Sequence, residues 1–142
     1  MKRRTLLQSL PAVTLLPALL RGAMAQESPG SSAVYELRVY HAAADKLPDL
    51  LARFRDHTIK IFDRHGLKSV AYWTPVDEPD KSNTLIYILR HPSREAAAAN
   101  WKSFQDDPEW KSVKDKSEAN GKLVDKVDST YMAMTDFSPK LS

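Results

Sequence analysis

The five successive large apolar side chains Leu85-Ile86-Tyr87-Ile88-Leu89 constrain the fold most. A run this short, entered through Thr84 and left through Arg90, reads as a strand. Successive strand side chains point to opposite faces, so this one demands burial on both. An earlier segment, 34–40 (VYELRVY), is a strand of another kind. Tyr35, Leu37 and Val39 alternate with Glu36, Arg38 and Tyr40, which gives one plainly apolar face. Between the two lie Leu47, Leu50, Leu51, Phe54, Ile61 and Phe62 at helical spacing. Asp45 is the expected cap of that helix, Pro48 falls harmlessly in its first turn, and Gly66 ends it after about 20 residues.

The remaining elements complete a recognisable order. Segment 67–74 (LKSVAYWT), closed by Pro75, is the second strand, and 76–83 (VDEPDKSN) is a polar loop. Ser93 caps a helix through about Gln105, with Ala97, Trp101 and Phe104 on its inner side. Asp107-Pro108-Glu109 restarts it with a cap, a first-position proline and an acid in the first turn. Trp110 and Val113 are the apolar contacts of this second piece, and Gly121 ends it. Leu123 to about Met134 forms the last strand, followed by a loose tail through Pro139. There is no internal repeat. The order β-α-β-β-α-β is the ferredoxin-like split unit, an α+β fold with a four-stranded antiparallel sheet and helices on one face. Those helices leave the other face bare, yet the third strand asks for cover on both sides. A second copy supplies it, so a homodimer with sheets face to face, a dimeric α+β barrel, is expected.

Charge and compartment come from the first part of the chain. Lys2, Arg3, Arg4 and Arg21 belong to the first 25 residues, which hold no acid, and this leaves 17 of the 21 basic residues against all 18 acidic ones. Nucleic-acid binding needs a basic surplus, and none remains. Residues 1–25 have the form of an export signal: a basic start, an apolar stretch from Leu6 to Leu20 interrupted by Gln8, Ser9, Pro11 and Pro17, and the small-x-small site Ala23-Met24-Ala25. Arg3-Arg4-Thr5-Leu6-Leu7-Gln8 is similar to a twin-arginine signal, with general secretion as the alternative. A periplasmic or secreted bacterial protein is expected, cleaved after Ala25, with no membrane anchor afterwards and residues 26–33 as a polar linker. The chain has no cysteine, which excludes disulfides, thiolate metal sites and thiol catalysis.

Several separated motifs resemble the NIPSNAP family. Tyr35-Glu36-Leu37-Arg38-Val39-Tyr40 is similar to its opening strand, and Gly66 through Tyr72-Trp73-Thr74-Pro75 to its aromatic second strand. Trp101 and Phe104 with Asp107-Pro108-Glu109-Trp110, continued by Ser117-Glu118-Ala119, resemble its second helical region. The likeness spans about residues 34–139 and implies the dimeric α+β barrel. It implies no established reaction. Cofactor-independent monooxygenases, small isomerases and haem-handling proteins share that fold, which is analogy at the level of fold alone. Eukaryotic relatives are associated with mitochondria, whereas this chain opens with an export signal.

Candidate site residues follow from the strand faces. Glu36, Arg38 and Tyr40 lie on one side of the first strand, and since the helices are expected to take the more apolar side, the trio is expected to face the cavity between subunits. It is either a structural ion pair or a ligand-anchoring site. Tyr72, Trp73 and Tyr87 are strand aromatics suited to packing or to stacking on a ligand. His57 flanks the helix stripe and is either a packed or surface residue, or a base or haem ligand. His65 suits the end of the helix dipole, while His41 and His91 follow strands as exposed loop residues. Trp101, Phe104 and Trp110 are core, Asp106, Asp107 and Glu109 are explained by capping, and 111–118 is a solvated helix face. No phosphate loop, G-x-S-x-G or H-E-x-x-H occurs, so neither a metal nor a cofactor is expected. The resulting expectation is an exported protein that binds a small apolar ligand or a partner in a dimeric barrel. The alternatives are a cofactor-independent monooxygenase or isomerase, and a haem-binding protein.

Overall fold

The alternating and helical patterns meet in one antiparallel sheet with all helices on one side. The computed structural model describes residues 33–141. Its strands are β1 (Val34–Ala42), β2 (Lys68–Trp73), β3 (Thr84–His91) and β4 (Val124–Ala133), in the spatial order β2-β3-β1-β4. Every neighbouring pair is antiparallel. The helices are α1 (Leu47–Arg53), α2 (Ile59–Arg64), α3 (Arg94–Asp106) and α4 (Pro108–Ser117). This is the expected four-stranded ferredoxin-like α+β arrangement. The export signal and most of the linker lie outside the described residues.

The first helical stretch is one continuous rod, but it is not uniform. A π-helical turn, Phe54–Thr58, joins α1 to α2, and the Thr58 hydroxyl donates to the Arg53 carbonyl at 3.2 Å within it. The extra residue rotates the apolar stripe, so Leu50, Phe54, Ile61 and Phe62 all reach the core. Asp45 does not cap this rod. It takes a left-handed conformation (φ 60) in a turn closed by Lys46 N–H to the Ala43 carbonyl, and Lys46 becomes the cap residue with no side-chain bond. Aspartate tolerates that conformation, which explains its place in the turn. The other two caps form as expected. The Ser93 hydroxyl accepts from Ala96 N–H, and the Asp107 carboxylate accepts from Glu109 and Trp110 N–H. Gly66 ends the rod with φ 74, a left-handed conformation that favours glycine, and a Cβ there would meet the Asn100 side-chain amide of α3 at 2.8 Å and push it aside.

Register decides which side chains share a face. Directly opposed residues in antiparallel strands point the same way. Glu36 opposes Leu89, Arg38 opposes Tyr87 and Tyr40 opposes Leu85. Leu85, Tyr87 and Leu89 are fully buried against Phe54 and Phe62 of the rod. The face carrying Glu36, Arg38 and Tyr40 is therefore the helix-covered one. The other face presents Leu37, Val39, Ile86 and Ile88 at its centre, all half-buried.

Candidate functional site

The sequence-based expectation placed Glu36, Arg38 and Tyr40 in a cavity between subunits, and the structure places them under the helices. The reason is physical. Apolarity of one strand face orients a strand only when the other face meets water. Here the helix-side face gains its apolar surface from β3, and the charges on β1 are met by donors from three other elements. Alternation within β1 alone had no power to choose.

Glu36 is 1% exposed, and its carboxylate accepts four hydrogen bonds. Arg38 Nη1 (2.9 Å) and Ser129 Oγ of β4 (2.8 Å) donate to Oε1, while Trp101 Nε1 of α3 (2.7 Å) and His91 Nε2 (2.9 Å) meet Oε2. The carboxylate can only accept, so His91 donates through Nε2. Burial pushes the Glu36 carboxyl up, but His91, Trp101, Arg38 and Ser129 together outweigh it and hold it at about 2. Arg38 continues the chain outward. Its guanidinium lies 4.3 Å from the centre of the Trp101 ring, and Nη2 donates to the Tyr40 hydroxyl at 3.2 Å. The Tyr87 hydroxyl donates to the same Tyr40 oxygen at 3.0 Å. Burial, followed by its phenolic neighbour Tyr40, raises the Tyr87 hydroxyl well above its ordinary value, so it stays protonated.

Of the seven candidates, five come together. Tyr72 joins the four already described by stacking on Tyr87, with centroids 5.2 Å apart and planes 26° from parallel. Trp73 and His57 do not join. Trp73 is 47% exposed on the opposite sheet face. His57 is exposed on the outer side of the π-turn, beside a shallow hollow lined by Asp49, Asp56 and Lys116. Two roles change. His91, read as a loop residue, is fully buried and belongs to the network, and Trp101, read as core only, is half-exposed and donates to Glu36. Leu85, Tyr87, Leu89 and His91 share one strand face, and that periodicity, extended two residues, is the signal that finds His91. His65, expected at a helix end, does sit there and bonds Ser103 and Asp107.

Beyond Arg38 the network opens into a cleft of about 480 Å³ between β1 and the α3–α4 pair. Arg38 and Tyr40 line it together with the rings of Trp101 and Trp110, and Lys111, Lys114 and Asp115 stand along α4. The α3–α4 corner that forms the outer wall is fixed by Asp107, which caps α4 and pairs with Arg64 at 2.8 Å. Arg64, His65 and the two capping N–H groups hold the Asp107 carboxyl well below the usual carboxylate range despite some burial. Among the described residues no cluster of three or more His, Cys, Asp or Glu is placed to hold a metal ion.

A ferredoxin-like α+β domain whose buried Glu–Arg–Tyr chain emerges in a cleft between helices and sheet is thus the class that the fold and site define. The NIPSNAP family model matches residues 35–139, and the chain belongs to the NIPSNAP family. It is similar to the crystal structure of a NIPSNAP-like domain protein from Burkholderia xenovorans, at 18% identity and TM-score 0.67, covering 79% of this chain and 93% of that one. A NIPSNAP family protein of unknown function from Agrobacterium tumefaciens is 24% identical, with TM-score 0.66 and coverage of 80% and 96%. A cofactor-independent oxygenase from Streptomyces nogalater shares the fold at 15% identity and TM-score 0.50, covering 77% of this chain and 99% of that one. Among curated proteins, none matches the sequence.

Proposed function

We propose that the protein is an exported, homodimeric ligand-binding protein that takes a small, largely apolar molecule into the cleft between β1 and the α3–α4 pair. The observation that carries this reading is the placement of Arg38 and Tyr40 at the inner wall of a cleft whose aromatic walls are Trp101, Phe104 and Trp110. Its volume falls in the range of small-molecule sites, and its aromatic walls stand beside polar groups that could orient a ligand. A thermal-shift screen of small ring compounds should find binders that raise the melting temperature. Gln105→Trp, which fills the cleft from its exposed rim, should abolish the shift. A screen without hits, or hits untouched by that substitution, removes the reading.

Homodimerisation is part of the proposal because Leu37, Val39, Ile86 and Ile88 lie at the centre of a sheet face that the chain's own helices leave bare. Export rests on residues 1–25. Arg3-Arg4→Lys-Lys should stop the appearance of a protein beginning at Gln26 in the periplasm, and unchanged export would leave general secretion in place of the twin-arginine route. A catalytic role has only the likeness of fold behind it. A haem role gains nothing from His57, whose charged surroundings are unlike the apolar slot that a porphyrin needs.

A further inference from the structure

The cleft's polar groups share one property: near its inner end they donate. Arg38 is a cation, and it spends one hydrogen of Nη1 on Glu36 and one of Nη2 on Tyr40. Tyr87 is fully buried, so its hydroxyl hydrogen goes to the one oxygen within reach, that of Tyr40. A phenol oxygen has two lone pairs and one hydrogen. With both lone pairs of Tyr40 engaged by Arg38 and Tyr87, its own hydrogen is left to point elsewhere, and no described residue accepts it. Two donors into one hydroxyl also polarise its O–H, which strengthens the bond that it can give.

The wider surroundings have the same sign. The lining residues of the cleft include Arg38, Lys111 and Lys114 as cations and Asp115 as the one carboxylate. Glu36 does not offset this at the opening, because it is sealed behind Arg38 and Trp101 with its lone pairs occupied. The walls on either side are aromatic, Trp101 and Trp110, and Phe104 lies between them, its ring centre 5.7 Å from Trp101 and 4.5 Å from Trp110.

We infer that the ligand of this cleft is a planar ring compound carrying an anionic oxygen, a carboxylate or an ionised phenol, which accepts from the Tyr40 hydroxyl and faces the Arg38 guanidinium while its ring lies against the tryptophans. The inference rests on the cleft being the ligand site and adds the charge of the ligand. A cation would meet three positive side chains against the one carboxylate of Asp115, and a hydrocarbon would strip water from the Tyr40 and Arg38 donors with nothing in return. The lysines on α4 supply attraction at longer range that salt weakens.

Isothermal titration calorimetry at pH 7 with three probes of one ring system separates the claims: 2-naphthoate, 2-naphthalenemethanol and 2-naphthylmethylammonium. The expected order is naphthoate tightest, at least about tenfold tighter than the alcohol, and the ammonium weakest. Tyr40→Phe keeps the ring that packs on Phe54 and Tyr87 and removes only the hydroxyl. It should cost naphthoate about tenfold and the alcohol much less. The double variant Lys111→Gln/Lys114→Gln, on the exposed face of α4, should weaken naphthoate a few-fold and flatten its salt dependence. Equal binding of naphthoate and the alcohol, or a Tyr40→Phe loss that is the same for both, overturns the anion assignment and leaves the cleft as a ligand site. Binding of none of the three probes overturns both.

Discussion

Glu36→Ala lowers the melting temperature by roughly 12–20 °C, corresponding to about 3–5 kcal/mol, the usual cost of breaking a buried charged network from one side. The size follows from what is stranded. Glu36 is the common acceptor for Arg38, His91, Trp101 and Ser129, and removing it leaves two buried or half-buried ring N–H groups and a guanidinium without their partner. Arg38→Met is expected to cost clearly less, about 1–3 kcal/mol, because Glu36 keeps three donors. Glu36→Gln combined with Arg38→Met should cost less than the sum of those two substitutions made singly, since the double variant strands no charge. Chemical denaturation of the parent, Glu36→Ala, Glu36→Gln, Arg38→Met and the double variant measures this. Arg38→Met costing as much as Glu36→Ala would contradict a hub centred on the carboxylate.

The same residue sets an acid limit. The folded-state pKa of Glu36, about 2, lies below its ordinary 4.5. A carboxyl depressed on folding contributes stability that is complete above its unfolded pKa and is lost as pH falls toward the folded one. Between pH 5 and pH 2 the protein should therefore lose about 3 kcal/mol through this group. Glu36→Gln should flatten that part of the profile, and an unchanged slope in the variant would show that other carboxylates carry it.

The sequence made the elements legible and left the faces of the central strand open, for one reason. Helices and strands were read from periodicity and caps, and Ser93, Asp107 and Gly66 mark their boundaries as the chain uses them. The side that β1 turns to the helices is a different kind of fact. In a sheet with one wet face, Leu37 and Val39 would point inward and settle the matter. In this sheet both faces carry apolar side chains, and what fixes the orientation is Trp101, His91 and Ser129, whose distance along the chain from Glu36 hides their convergence. Trp101 shows the limit best. Helical spacing identified it as core, which its contacts with Phe62 and Phe104 bear out, but spacing says nothing of where an indole N–H points. The π-turn at Phe54–Thr58 was equally hidden, because its one-residue offset lies within the tolerance of a helical stripe. The cleft was missed for the same cause: it is bounded by β1 and α4, whose relation depends on the Arg64–Asp107 pair at the α3–α4 corner.

Ile88→Asp is expected to convert the proposed dimer to a monomer at micromolar concentration while the domain stays folded. Ile88 sits on β3, a central strand, opposite Leu37 on β1 and Ala71 on β2, on the face away from the helices. Around it a hollow of about 510 Å³ is lined mostly by apolar side chains, among them Tyr35, Trp73 and Met132. If two such faces pack together, the interface is two-fold symmetric, so one substitution introduces two carboxylates into it. Each would lose its water without gaining a partner, and like charges brought together add several kcal/mol more. The dissociation constant should rise by a factor of about a thousand or more, equivalent to about 4 kcal/mol. Folding of the domain itself should suffer little, because Ile88 is half-buried in the single chain and points away from the core of Phe54, Phe62 and Tyr87. Sedimentation equilibrium of the parent and the variant is the measurement, with circular dichroism to confirm that the variant is folded. Tyr40→Phe, on the other face of the same sheet, should leave the association unchanged. A parent protein that sediments as a monomer, or a variant that remains dimeric, would mean that this sheet face is covered by something other than a second copy.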